Sequence, residues 1–524
     1  MKSLERKKLT VGVIDLVHKG PTKDLYAKVM NANLASIMPQ IVATWCEQEG
    51  HDVQYLCYTG LEDIAKELPD NTDIIFICAF TQSALMAYAL SNMFQSQGIV
   101  TVLGGPHARC YPDDAVKYFD FVTGFTDRDV IIDILDDADQ HRPIGIHLSA
   151  DKQPRLLASV KERWKFIEHN LKKAPFMKLI PMIGSMGCPY TCSFCIDSEV
   201  QYQTMDYEQM TEDLQHIAAL KKPPWVGWHD PNFGIRFNET MDVIESVVKP
   251  GSITFVAESS LTVLTEGNLK RLRKNNFGGV LPGIESWYEL GNKSKASRKK
   301  GLERVRQVAE HANMVMRYIP FLQTNFVFGL DSDFGSEPFE LTKRFVELSP
   351  GSFPGYSLLS AFGEAVPLNL SYQAENRVLP FPFHFLNNHL AMNVKPKNYD
   401  WEVFYDHLID ITSFTFSNKS IYKRVMANSK TITKGLNFVR AISHEGTGRI
   451  KFFKKIRQKL KTDHSFRAYF EGDHDRLPEF YLDIIKKDLG YMWKWLPEGA
   501  INHDHRAYLK KHEELNKLKN TGTL

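Results

Sequence analysis

The sequence predicts an α/β protein in three parts: an N-terminal doubly wound parallel sheet, a partial β/α barrel of six strands, and a mainly helical C-terminal region. Three observations predict it. Short β-branched-rich runs alternate with amphipathic helical stretches over the first 135 or so residues. The alternation restarts at Lys178, and beyond about residue 376 it gives way to helical patterns. Near-continuous apolar strands separated by helices are the signature of a parallel sheet covered on both faces.

The strands of the first sheet are read in "LTVGVID", "VQYLCY", "DIIFICAF", "IVTVLGG" and "FVTG". Between them lie helical stretches such as Asn31 to Gly50, with Leu34, Ile37, Ile41, Val42 and Trp45 as its apolar positions, and "SALMAYALSNMFQSQG". Ligands of such sheets sit beyond the carboxyl ends of the strands. Those ends carry "DLVHKG" (15–20), "TQSAL" (81–85), "LGGPHA" (103–108) and "TGFTD" (123–127), and the Gly104–Gly105 pair admits close backbone approach to a ligand. Residues 1–137 form this first predicted domain, and 138–175 read as a charged linker with one helix. The second alternation, 176–375, has strands in "KLIPMIG", "WVGWHD", "SITFVAES", "GGVLPGIES", "IPFLQTNFVFG" and "GYSLLSAF". A barrel of this kind places its chemistry at the carboxyl ends of those strands. Residues 376–524 are predicted mainly helical, with a Lys/Arg-rich stretch at 451–461.

Composition narrows the function classes. The 524 residues are 43% hydrophobic and 24% charged, as in an ordinary globular protein, and the net charge of +2 does not indicate a nucleic-acid-binding field. The N-terminus has no secretory pattern, and no run of roughly 18 apolar residues predicts a membrane span. A cytoplasmic location with reduced cysteines is the expectation, and the odd count of seven cysteines argues against a disulfide framework.

Three of those seven, Cys188, Cys192 and Cys195, crowd into "GSMGCPYTCSFCIDSE" (184–199), on a loop just after the first barrel strand. Three ligands at this spacing fit poorly to a closed zinc site, which wants a fourth Cys or His nearby. A four-iron cluster normally takes four thiolates, so three leave one iron open to bind something else. Cys46, Cys57, Cys78 and Cys110 fall in the first domain, where they read as small buried hydrophobes.

"CPYTCSFC" resembles the C-x3-C-x2-C signature of the radical S-adenosylmethionine (SAM) enzymes. "AESSLTVLTEGNLKRLRKNNFGGVLPGIES" is similar to the third and fourth strands of the subgroup that carries an N-terminal cobalamin-binding domain, the class B methyltransferase-like group. The likeness covers roughly residues 9 to 330. It implies a cobalamin-binding, Rossmann-like first domain and a radical SAM (β/α)6 barrel. Cys188, Cys192 and Cys195 would each ligate one iron of a [4Fe–4S] cluster, and the open iron would chelate SAM. Phe194 would set the neighbouring backbone against the adenine. Further SAM contacts are expected from Asp230 and Asn232 at the second strand, Glu258 and Ser260 at the third, Glu285 and Ser286 at the fourth, and Asn325 and Gly329 at the fifth, where the usual terminal Glu is replaced by Ser332.

For cobalamin, the resemblance points to Ser83, Leu85, Gly104 and Gly105 along the nucleotide tail, with Gly124 in a later turn that departs from the subgroup pattern. The usual Asp-x-His-x-x-Gly motif is altered: Asp15, His18 and Gly20 keep the Asp-to-Gly interval, but the histidine comes one residue late. Base-off cobalamin without histidine ligation is therefore expected.

The implied activity is methyl transfer to an unactivated carbon of a small-molecule substrate, using a 5′-deoxyadenosyl radical and methylcobalamin. The reduced cluster would be fed by a donor such as flavodoxin or ferredoxin. Radical rearrangement, cyclisation or oxidation is the alternative reaction class, and a non-catalytic cobalamin- or metal-binding protein is the alternative outside catalysis. Phe381, Phe383, His384, Phe385 and Trp401 suggest an apolar specificity lining, although an ordinary core also accounts for them.

Overall fold

The computed structural model describes residues 7–138, 145–288 and 300–520. The first sheet contains β1 (Thr10–Leu16), β2 (Asp52–Tyr58), β3 (Ile74–Ala79), β4 (Val100–Gly104), β5 (Phe121–Thr123) and β6 (Ile146–Leu148). All six are parallel, in the order β2-β1-β3-β4-β5-β6. The reversal of direction between β1 and β3 is a topological switch point, where a ligand crevice forms at the carboxyl edge. β6 lies inside the stretch that the sequence suggested as linker. Three residues are too few to show a strand period; pairing with β5 makes them a strand.

Two helices, Ile37–Gln48 and Arg128–Asp137, cover one face, and their apolar sides join Val11, Val13, Phe76, Val102 and Phe121 in a compact core. The helix Ala84–Ser96 covers the other face and is apolar nearly all round, because the C-terminal region closes over it: its Asn92 Nδ2 donates to the Trp495 carbonyl at 2.8 Å. An all-round apolar helix belongs in the interior.

The second sheet contains β7 (Leu179–Met182), β10 (Trp225–Trp228), β11 (Thr254–Ala257), β12 (Phe277–Val280), β13 (Gly283–Glu285), β14 (Phe321–Phe328) and β15 (Phe353–Leu358). A short antiparallel pair, β8 (Ser185–Met186) with β9 (Gln203–Thr204), lies between its first two strands. From β7 through β10 and β11 to β12 neighbours follow chain order; β14 then pairs with both β12 and β13 and also with β15, and every pairing is parallel, which gives an open β/α barrel. The fourth predicted strand is split into β12 and β13 around Leu281–Pro282, since proline has no N–H for the ladder. Along β14 alternate residues are buried, and Phe321, Gln323, Asn325 and Val327 keep partial exposure on the other face. Beyond β15 the described residues are mainly helical, with an irregular stretch over 375–400 that carries one antiparallel bridge, Val378 to Val394. Phe381, Phe383, His384, Phe385 and Trp401 are all deeply buried there, so they are core rather than a pocket lining.

Candidate functional site

The cysteine loop hangs between β8 and β9. Gly187, immediately before Cys188, has a positive φ of 67°, and a Cβ there would lie 2.5 Å from the carbonyls of both Val200 and Gln201. Only glycine allows the two ends of the loop to approach this closely. None of the three cysteines is in a disulfide; Cys192 is buried, while Cys188 and Cys195 are partly exposed. The loop is tied by Cys195 N–H donating to the Cys192 carbonyl at 2.9 Å and by Asp197 N–H donating to the Cys195 Sγ at 3.4 Å. Amide donors to sulfur favour the thiolate and are one lever on the potential of an iron–sulfur cluster. Among the described residues no three His, Cys, Asp or Glu side chains converge on a single ion. A cluster asks for something different, one thiolate for each of three irons, and the donor set of this loop fits that demand.

Asp230 supports the loop from below. Its carboxylate accepts from Gly184 N at 2.9 Å and from Ser185 Oγ at 2.6 Å, and burial raises its pKa to about 6. Sequence reasoning assigned it to SAM; the structure uses both of its oxygens to hold the start of β8. Asn232, also buried, is different: neither end of its amide has a hydrogen-bond partner. A buried unpartnered amide calls for a ligand or a cost.

The remaining strand-end residues divide. Glu258 is exposed at the end of β11, whereas Ser260 is fully buried, bridges to Gly283, and pairs with Thr262 Oγ1 at 2.9 Å. Glu285 has a φ of +63°, a conformation costly for a side-chain-bearing residue, and such strain gathers at functional sites. Its carboxylate folds back against the Gly283 backbone. Ser286 Oγ accepts from Tyr288 N at 3.1 Å. Asn325 Oδ1 accepts from Gln323 Nε2 at 2.7 Å, and Gln323 in turn accepts from Arg440 Nη1 at 2.6 Å, so this amide belongs to a network rooted in the C-terminal region. Gly329 N and Leu330 N both donate to Asp333 Oδ2, at 3.0 and 3.1 Å; Asp333 is buried and its pKa is raised to about 7. The carboxylate missing at position 332 is thus present one residue later, turned onto the backbone. Phe194 packs on the main core between Cys192 and Cys195.

At the carboxyl edge of the first sheet lies a cavity of about 210 Å³. Val13, Phe76 and Val102 from the sheet, Val42 and Ile131 from the two covering helices, and Gly104, Gly105 and Gly124 at its mouth line it. Gly105 has a φ of +92°, and a Cβ would lie 2.8 Å from Cys78 Sγ and 3.0 Å from the Ala79 carbonyl. An apolar slot with a glycine mouth suits a flat heterocyclic tail such as the one that cobalamin carries. Ser83 and Leu85 do not line it. Both are buried at the start of the helix Ala84–Ser96, and Ser83 Oγ has no partner. Nor do Asp15 and His18 form a relay. The Asp15 carboxylate accepts from Ser36 N at 2.6 Å, with burial raising its pKa to about 6, and His18 Nδ1 donates to the Gly20 carbonyl at 2.7 Å.

Sequence reasoning missed Arg109. This residue lines the cavity, lies 4.8 Å over the Phe125 ring, and reaches the cysteine loop: its guanidinium donates to the Ile196 carbonyl at 3.0 Å and to Asp197 Oδ1 at 3.3 Å. Met186, two residues before Cys188, completes the cavity wall. The two sites therefore share a boundary, and "LGGPHAR" held its signal only in the spacing from the glycine pair.

No family model matches the chain. It is 22% identical over 373 residues to the bacteriochlorophyllide d C-12(1)-methyltransferase of Chlorobaculum tepidum, covering 70% of this chain and 80% of that protein. It is 25% identical over 226 residues to the bacteriochlorophyllide d C-8(2)-methyltransferase of the same organism, covering 41% of this chain and 50% of that protein. Among solved structures, the radical SAM methyltransferase TsrM of Kitasatospora setae, with tryptophan substrate and a SAM analogue bound, superposes with a TM-score of 0.56 at 12% identity, over 86% of this chain and 100% of that one. The cobalamin-dependent radical enzyme OxsB with aqua-cobalamin bound matches 98% of this chain and 84% of its own, with a TM-score of 0.52 at 13% identity. The chain has the fold of the cobalamin-dependent radical SAM enzymes, from the sheet that opens it to the helices that close it.

Proposed function

We propose that this protein is a cobalamin-dependent radical SAM methyltransferase acting on an unactivated carbon of a small molecule. The observation that carries the reading is the shared boundary between the two cradles: Arg109 and Met186 belong at once to the apolar slot and to the approach of the cysteine loop. A transfer between two cofactors needs them close and fixed.

In this reading Cys188, Cys192 and Cys195 hold a [4Fe–4S] cluster, the strand ends around Asn232, Glu258 and Glu285 receive SAM, and the slot behind Gly104, Gly105 and Gly124 receives the cobalamin tail. When bound, these groups supply one-electron cleavage of SAM and a methyl group carried on cobalt. The chain's own residues do the positioning. Asp230 fixes β8 and with it the start of the loop; the Asp197 amide donates to the third thiol; Arg109 holds Asp197. Phe194 and the packed core beneath it keep water from one side of the loop. The likeness to the two bacteriochlorophyllide methyltransferases supports methylation over rearrangement, cyclisation or oxidation. No described helix is long and apolar enough to cross a membrane, and we read the protein as cytoplasmic, with a flavodoxin or ferredoxin supplying electrons.

The test is anaerobic reconstitution with iron, sulfide and hydroxocobalamin, then incubation with reductant, methyl-labelled SAM and candidate substrates. Label in a substrate carbon supports the proposal. SAM cleavage with an unlabelled rearranged or oxidised product would place the chemistry elsewhere in the radical class, and a colourless, zinc-loaded protein would overturn it.

A further inference from the structure

The charge balance of the chain conceals a strongly basic segment. Between residues 418 and 462 there are thirteen Lys and Arg against a single acid, Glu445, a net +12 in a chain whose total is +2, which leaves −10 on the remainder. Two of the thirteen, Arg424 and Arg449, are buried, and Arg440 and Arg457 are paired with carboxylates. The lysines at 419, 423, 430, 451, 454, 455 and 461 are exposed.

Within this segment one helix is inverted. In Thr431–Ile442 the buried positions are Thr433, Asn437 and Ala441, whereas Ile432 (41% exposed), Phe438 (49%), Val439 (47%) and Ile442 (52%) face solvent. A surface helix normally buries its apolar stripe and exposes its polar one. The adjoining helix Asn418–Ala427 adds exposed Tyr422 and Met426, interleaved with Lys419 and Lys423. An apolar stripe this continuous, bordered by lysines, marks a surface that meets something.

We propose that the helices Asn418–Ala427 and Thr431–Ile442 dock the protein on the surface of an anionic lipid bilayer. The apolar stripe enters the headgroup boundary and the lysines meet the anionic headgroups, the arrangement by which amphipathic helices lie in an interface. Charge disfavours a second copy, because a two-fold interface here sets one +12 segment against another. Ile432, Val439 and Ile442, three of the four exposed apolar residues of Thr431–Ile442, have no flat face for a base, and Phe438 and Tyr422 add just two rings to this surface, which favours lipid over nucleic acid. The inner side of the same helix reaches the barrel, where Arg440 donates to Gln323 on β14. Docking therefore sets the barrel one helix away from the lipid. The proposal stands whether or not the methyl-transfer reading holds.

The experiment is sedimentation of the full-length protein with vesicles of one part phosphatidylglycerol to two parts phosphatidylcholine, and with pure phosphatidylcholine. Binding is expected to the anionic vesicles, about tenfold weaker to the neutral ones, and lost at high salt. The triple variant Ile432→Ser, Val439→Ser, Ile442→Ser should weaken binding about tenfold with an unchanged melting temperature, because the replaced side chains are already exposed. Lys419→Gln with Lys423→Gln and Lys430→Gln should weaken it in the same direction through charge alone. Absence of binding to either vesicle overturns the proposal. So does full binding by both variants, or a parent dimer that the serine variant dissociates, which would make the stripe a contact between copies.

Discussion

The two cradles are built on opposite principles. The slot at the edge of the first sheet is walled by packed apolar side chains and two covering helices, so its shape exists before anything enters it. The cysteine loop is held at its ends, by Gly187 and by the Asp230 grip on Gly184 and Ser185, while in the proposed function the three thiols would be brought to a common shape by the cluster they hold. One cradle selects its ligand by volume and the other by donor chemistry. Damage to each should therefore be separable, except at the residue that touches both.

The largest effect is expected from Cys192→Ala. Two thiolates cannot hold a cluster with a defined open iron, so iron content and SAM cleavage should fall to background while cobalamin stoichiometry stays near the parent value. Retention of 5′-deoxyadenosine formation at the parent rate would end the whole reading. Gly105→Val is the reciprocal change. A Cβ would crowd Cys78 Sγ and the Ala79 carbonyl at a φ of +92°, with strain of about 1–3 kcal/mol. Bound cobalamin should drop at least about tenfold, and iron should be retained. If Gly105→Val protein loses iron as well, the cradles are not independent.

Arg109→Ala probes the boundary itself. Loss of its bonds to Ile196 and Asp197 should shift the EPR signal of the reduced cluster, lower SAM cleavage about tenfold and weaken cobalamin binding, all in one variant. Arg109→Lys should rescue charge but not the forked geometry. An unchanged EPR signal in both would reduce Arg109 to a surface ion pair.

Asp333→Asn tests the loop after β14 through pH. The folded pKa of Asp333 is raised from 3.8 to about 7 by burial, so its favourable, protonated state is lost as pH rises through that window. The variant, which keeps an acceptor for Gly329 N and Leu330 N, should gain on the parent from pH 4 to pH 7 and level off above, by about 2–4 kcal/mol in thermal or urea unfolding. A gap that does not vary with pH contradicts the buried, backbone-turned carboxylate. The smallest effect belongs to His18→Ala. With Nδ1 committed to Gly20 and Asp15 committed to Ser36, the cob(II)alamin spectrum and stoichiometry should be nearly unchanged. A nitrogen superhyperfine pattern that disappears in the variant would restore an axial role to this histidine.

Much of the fold was legible because its signals are local. Apolar runs of strand length between amphipathic stretches announced both sheets, and every strand suggested for the barrel has a counterpart there. β6 escaped because three polar-flanked residues have no period of their own. The cysteines were legible since three soft ligands in eight positions have few other uses. The strand-end carboxylates were not, because a carboxylate at a strand end looks the same whether it faces a ligand or its own backbone: Asp230 grips β8, Asp333 grips its own loop, and Glu285 folds back on Gly283. Arg109 was hidden for the converse reason, as its partners are eighty-seven and eighty-eight residues away. Net charge misled in its own way, since summing over the chain cancelled the basic segment against a dispersed acidic remainder.

The order of nearly every strand and helix, the loop that carries the thiols and the glycines that let backbones meet could be read from neighbouring residues, because propensity, periodicity and steric freedom are local properties. Packing of distant segments settled which polar groups were already satisfied, that Ser83 stands outside the slot while Arg109 stands within it, and that the helix Thr431–Ile442 turns its apolar side outward. Those are matters of where distant segments come to rest, and desolvation and hydrogen-bond satisfaction are settled only when they do.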